Sequence, residues 1–188
     1  MPLLDHCTAL ISRNEVITAG GFTFGSQCIP GLPCRVQTAV FSYNRDANTW
    51  HREPDMPSPR RFSSCVTTKY MQRDVVLVSG GADSAGFYVV EPDLIAFDLR
   101  QRTWSVIVSN SIAVPPHLRN SVISVLGREL YFVGGMEVKE TYIHAAWRNI
   151  GVFDLDSGSW QIRSELDVSV NLNSLYSFWY SFDVIVAK

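Results

Sequence analysis

The side chains best suited to metal or nucleophilic chemistry are four histidines and four cysteines, and their spacing assembles no reactive set. His6, His51, His117 and His144 form no His-x-x-x-His or His-Glu-x-x-His pair that would bring two ligands to one face, so surface or loop positions are expected for them. Cys28 and Cys34 flank Ile-Pro-Gly-Leu-Pro rather than the two residues of a zinc or redox Cys-x-x-Cys, and would join as a loop disulfide only in an exported protein. With Cys7 and Cys65 they are unevenly spaced in a chain rich in apolar residues, where free buried thiols are common. Gly20-Gly-Phe-Thr-Phe-Gly25 is followed by no Lys-Ser/Thr and no helix start, so it cradles no phosphate. No catalytic residue, metal or cofactor is expected.

Composition points to packed structure with balanced charge. The chain has 188 residues, of which 46% are apolar, enough to fill a core. Sixteen basic and 18 acidic residues give a net charge of −2, without the basic footprint of a nucleic-acid or anionic-membrane binder. The first ten residues carry Asp5 and His6 in place of a basic stretch and do not read as a signal peptide. Apolar runs are strand-length, well short of the ~20 residues of a membrane helix, and a cytoplasmic location is expected.

The elements that would position any site come from a repeat. Val16-Ile-Thr-Ala-Gly-Gly21, Val75-Val-Leu-Val-Ser-Gly-Gly81 and Leu130-Tyr-Phe-Val-Gly-Gly135 each end a short apolar run in a double glycine. Each is followed by a second run that closes on tryptophan: Val40 to Trp50, Leu94 to Trp104 and Ile150 to Trp160. The first glycines are 60 and 54 residues apart and the tryptophans 54 and 56. Seven residues before each tryptophan stands a ring, Tyr43, Phe97 or Phe153. Short β-branched runs bounded by glycine read as buried inner strands, and the glycines as points of positive φ or close chain approach. The polar turns 44–49, 98–103 and 154–159 read as hairpins, and each following tryptophan is expected to bury about 150–250 Å² against the adjacent unit, worth roughly 4–6 kcal/mol.

This order of strand, double glycine, strand, turn and tryptophan resembles the kelch repeat, over roughly residues 3 to 167. The resemblance implies an all-β chain, a β-propeller fragment of three four-stranded antiparallel blades at 3–57, 58–113 and 114–167. First strands fall at Cys7–Ile11, Ser64–Thr68 and Ser121–Val125, and fourth strands at 51–53, 105–108 and 161–163. The segment 168–188 is hydrophobic and unlike a blade. It reads equally as a degenerate partial fourth blade or as a non-native end. Propellers close with about 4–8 blades, so three leave open blade edges through which self-association is expected.

Gly20, Gly21, Trp50, Gly80, Gly81, Trp104, Gly134, Gly135 and Trp160 are therefore expected to hold the repeat together. Binding is expected on the connections after each double glycine, 22–37, 82–93 and 136–149, whose unequal lengths mark a loop face. They carry Phe24, Arg35, Phe87, Tyr88, Tyr142, Trp147 and Arg148, ring and arginine types common at contacts. In kelch domains the joints before the first strands, here bearing Arg60, Arg61 and Arg119, lie near the mouth of the central channel, where arginines bind acidic peptides. The resemblance implies a non-catalytic interaction module for a protein or peptide partner, as in ubiquitin-ligase substrate recognition or a cytoskeletal scaffold. No BTB or F-box region accompanies it. The alternative is a carbohydrate-active or small-ligand propeller. Asp156-Ser-Gly158-Ser-Trp160 comes within one residue of half a sialidase turn, and no tyrosine and histidine copper set of galactose-oxidase type is identifiable.

Overall fold

The computed structural model describes residues 3–23, 36–82, 94–108, 118–140 and 143–165, and those residues form strands and turns without a helix. In chain order the strands are β1 (Leu3–Leu4), β2 (Cys7–Ser12), β3 (Glu15–Ala19), β4 (Phe22–Thr23), β5 (Val40–Asn44), β6 (Thr49–Glu53), β7 (Ser64–Tyr70), β8 (Arg73–Ser79), β9 (Leu94–Asp98), β10 (Thr103–Val108), β11 (Leu118–Arg119), β12 (Val122–Leu126), β13 (Glu129–Val133), β14 (Met136–Glu140), β15 (Ile143–Ala146), β16 (Asn149–Asp154) and β17 (Trp160–Glu165). Each repeat supplies one antiparallel four-stranded sheet, ordered β2-β3-β5-β6, β7-β8-β9-β10 and β12-β13-β16-β17. The fold is all-β, and the three sheets are three blades of part of a propeller. The segment 168–188 lies outside the described residues.

Alternation along the strands decides which blade meets which. In the second blade Val76, Val78, Ile95 and Phe97 turn to the first, where they pack with Ile17, Ala19 and Val40. Val75, Leu77, Leu94 and Ala96 turn the other way, onto Ile123, Leu130, Phe132 and Phe153 of the third. Both faces of β8 and β9 are thereby covered, which explains why their sequences are continuous apolar runs instead of alternating ones. The outer strands β6 and β10 are mostly exposed. The face of a blade turned toward its predecessor is called here its leading face, the opposite one its trailing face.

Three features depart from the sequence expectations. Trp50 does not pack against a neighbouring blade: it is 61% exposed, because it stands on the leading face of the first blade, where no described residue takes the place of a preceding blade. The third connection, read as a loop, forms the hairpin β14–β15 and pairs with β11 in an additional three-stranded sheet. Trp160 also leaves the pattern. Trp50 and Trp104 lie 5.0 and 4.9 Å from Tyr43 and Phe97, whereas Trp160 meets Phe132 edge-on at 5.3 Å with its indole laid over Gly151. A Cβ at Gly151 would fall 1.8 Å from that indole, so the absence of a side chain there makes the room.

Candidate functional site

The joints between blades form one connected layer. Each blade enters its first long strand through a residue in the left-handed region, Asp5 (φ 58°), Phe62 (φ 61°) or Asn120 (φ 54°). Asp and Asn tolerate that conformation, whereas a phenylalanine there is uncommon and must be held by its surroundings. It is: the Phe62 N–H donates to the Asp5 carbonyl at 2.9 Å, and the Asn120 N–H donates to the Phe62 carbonyl at 3.0 Å. A second line of contacts runs beside this relay. The Gly21 N–H donates to the Arg60 carbonyl at 2.7 Å and the Gly81 N–H to the Leu118 carbonyl at 3.3 Å. A Cβ on Gly20 would come within 2.4 Å of the Arg60 oxygen, and one on Gly80 within 2.2 Å of the Leu118 oxygen. Close approach of the next joint is what these glycines permit.

Two of the joint arginines expected at a channel mouth, Arg60 and Arg61, are buried. Arg60 is fully buried, and its Nη1 donates to the Gly80 carbonyl at 3.0 Å. Arg61 is buried too: Nη2 sits 2.7 Å from the Asp5 carboxylate, with the guanidinium over the rings of Phe22 and Phe62 at 4.5 and 4.1 Å. Burial follows from the joint's position, sealed between the glycines of one blade and the relay of the next, and it makes Arg60 a packing group bonded to a backbone carbonyl and Arg61 an ion-pairing one. Arg119 lies in β11, its backbone paired with Met136 of β14. The signal that sequence reasoning missed lies in the repeat, where the acidic Asp5 occupies the matching joint one blade earlier.

The contact residues expected on the connections divide. Arg35, Phe87, Tyr88 and Tyr142, with Phe24, lie outside the described residues. Trp147 is buried in the core between the second and third blades, its N–H donating to the Gly135 carbonyl at 3.0 Å where the chain returns to the blade, so it anchors the hairpin from within. Arg148, the next residue, is exposed. The structure thus brings an anchored ring, a solvent-facing guanidinium and a three-stranded sheet together at one place.

Among the described groups able to do acid–base or nucleophilic chemistry, Cys65, Asp98 and Asp154 are committed to packing or to turns. Burial, with the neighbouring Cys7, pushes the Cys65 thiol well above its ordinary pKa, which disfavours the nucleophilic thiolate. His6 and His51 are exposed, His144 lies in β15, and His117, Cys28 and Cys34 fall outside the described residues. Among the described residues no three His, Cys, Asp or Glu side chains gather as a metal site. A cleft of about 730 Å³ lies between Ile11 and the two turns carrying Gln72 and Arg100. Its Asp98 accepts the Gln101 and Arg100 N–H groups at 2.8 and 2.9 Å and lies 3.5 Å from Arg73. Those backbone bonds, led by Gln101, hold its carboxyl below the usual range, so it shapes a turn instead of taking up protons. Asp154 is held down in the same way by Ser157, and Asn44 caps the equivalent turn of the first blade through Ala47.

No protein-family model matches the chain. It is 29% identical over 142 residues to Kelch-like protein 15 of Gallus gallus, an alignment covering 75% of this chain and 26% of that protein. It is also similar to the solved structure of YjhT, with a TM-score of 0.66 and 15% sequence identity across 88% of this chain and 53% of that one. The chain therefore spans about a quarter of the length of the curated relative and about half of the structural one. At 15% identity the second likeness concerns the fold alone.

Proposed function

We propose that this chain, built of kelch-type repeats folded as three blades of a β-propeller, is a non-catalytic module that binds a protein or peptide through the surface around the β14–β15 hairpin. The observation that carries this reading is the pairing of adjacent residues there. Trp147 is fixed in the core while Arg148, just after β15, projects into solvent. A rigid anchor with an exposed arginine is the kind of surface that protein contacts favour. With Arg60 and Arg61 buried, an acidic peptide would meet Arg148 on the hairpin side instead of a ring of joint arginines. As part of a cytoplasmic assembly such a surface suits substrate recognition for a ubiquitin ligase or a cytoskeletal scaffold.

Affinity capture with the tagged chain, followed by mass spectrometry, tests this. The reading expects a partner recovered in stoichiometric amount, weakened by salt and by Arg148→Glu, and lost when residues 137–146 are replaced by a short turn. Turnover of a sugar or alcohol by the purified chain would contradict it, as would capture indifferent to both changes.

A further inference from the structure

We infer that Cys7 and Cys65 form a redox latch between the first and second blades, closing into a disulfide when a peroxide oxidises them. Both are free thiols. Cys7 stands on β2 and Cys65 on β7, the first long strands of adjacent blades, which run side by side. Alternation turns Cys7 to the trailing face of its blade, where it packs with Ile17, Ala19 and Val40, and turns Cys65 to the leading face of the next, against the same cluster. A hydrogen bond joins the two thiols, so their sulfurs already touch. Their register is set by the joint just ahead of them. There the Asp5 carbonyl accepts the Phe62 N–H at 2.9 Å, and the Asp5 carboxylate pairs with Arg61 at 2.7 Å. The other junction lacks such a pair. Counted from Phe62 and Asn120, the places of Cys7 and Cys65 are taken there by Ser64 and Ile123. Packing at this point is therefore met without thiols, and the facing pair at the first junction supplies a chemistry beyond packing.

Oxidation takes two steps. Sγ of Cys65, half-buried where Cys7 is buried, attacks one oxygen of hydrogen peroxide as the O–O bond breaks, giving a sulfenic acid and, with the thiol proton, water. Sγ of Cys7 then attacks that sulfur, the S–O bond breaks, and hydroxide leaves with the Cys7 proton as a second water. The two thiols together lose two electrons and two protons, and the peroxide is reduced. Burial holds the Cys65 proton in place, which slows the first step and confines the latch to sustained oxidation. Contact with Cys7 speeds the second, so the sulfenic acid is resolved before it oxidises further. The product ties residue 7 to residue 65 across the junction. It closes a loop that contains β3, β5 and β6, and so restricts the unfolded chain.

Peptide mapping without reduction, before and after prolonged exposure of the folded 188-residue chain to excess hydrogen peroxide, tests the inference. Cys7 and Cys65 should come to lie in one linked peptide that dithiothreitol separates. With Cys28→Ser and Cys34→Ser, which leave this pair alone, the intact chain should lose two hydrogens. Its thermal midpoint should rise by about 5 °C or more on oxidation and fall back on reduction. Cys65→Ser should abolish both the link and the rise. Mapping the unsubstituted chain keeps the test decisive if a variant fails to fold. Thiols that survive the peroxide in the folded chain would overturn the inference, as would sulfinic or sulfonic acid at Cys65 with Cys7 still reduced. So would a link that forms only in denaturant, a link that leaves the midpoint unmoved, or a rise that persists in Cys65→Ser.

Discussion

Trp50 and Trp104 occupy the same place in successive repeats and live in different surroundings. Each leans on its own blade's ring, Tyr43 or Phe97, at nearly the same distance and tilt. Trp104 then meets the first blade: its Nε1 donates to the Pro54 carbonyl at 2.8 Å, and Arg102 close by pairs with Glu53 at 2.9 Å. Among the described residues Trp50 meets nothing comparable, and it remains mostly exposed. A repeat fixes the local half of such a contact, and the neighbouring blade supplies the other half, as expected of an architecture whose stability is a sum of unit and nearest-neighbour terms.

Changes at a junction should therefore cost far more than the same changes at an open face. The largest effect is expected for Gly80→Ala, which adds a Cβ 2.2 Å from the Leu118 carbonyl at a φ of +66°. Left-handed strain and overpacking together predict a loss of about 3 kcal/mol or more in denaturant unfolding, against about 1–2 for Gly127→Ala, where the strain acts alone. Trp104→Ala should cost about 3 kcal/mol, since it empties a junction, whereas Trp50→Ala should cost the monomer under about 1 kcal/mol. Equal losses at the two tryptophans would break the comparison. Gly151→Ala should fall between, about 1–3 kcal/mol, because the indole of Trp160 must leave its seat. A near-edge shift in the tryptophan circular dichroism would report that movement.

The smallest effect concerns pH. Asp98 and Asp154 have carboxyls lowered by their turn N–H groups, so each stabilises the fold fully above about pH 4 and gives this up as the pH falls through its lowered folded value. Asn44 makes the equivalent bond in the first blade without a titrating group. Asp98→Asn should make acid unfolding shallower with little change at neutral pH. An unchanged acid profile would show that the turn bonds carry none of that dependence.

The blades were legible in the sequence because double glycines, β-branched runs and turn residues act locally. First strands observed at Cys7–Ser12, Ser64–Tyr70 and Val122–Leu126 lie within two residues of the expected ends. Fourth strands begin one or two residues earlier than expected and take in the tryptophans, since pairing with Tyr43, Phe97 and Phe153 places Trp50, Trp104 and Trp160 within the ladder. Non-local facts were not legible. Nothing in Arg60-Arg61 announces burial, which comes from Gly80, Asp5 and the ring of Phe22, all distant in sequence, together with the adjoining Phe62. Phe62 in a left-handed conformation runs against its own preference and is held by bonds to two other blades. Trp147 shares its type with contact residues, and only the course of the β14–β15 hairpin shows that it points inward while Arg148 does not.

Hydroxyl-radical oxidation read residue by residue in a mass spectrometer, at a series of protein concentrations, tests most directly whether the neighbouring blade decides the fate of the repeated tryptophan. At high dilution Trp50 should oxidise several-fold faster than Trp104. Equal protection of the two at the lowest concentration would contradict the account.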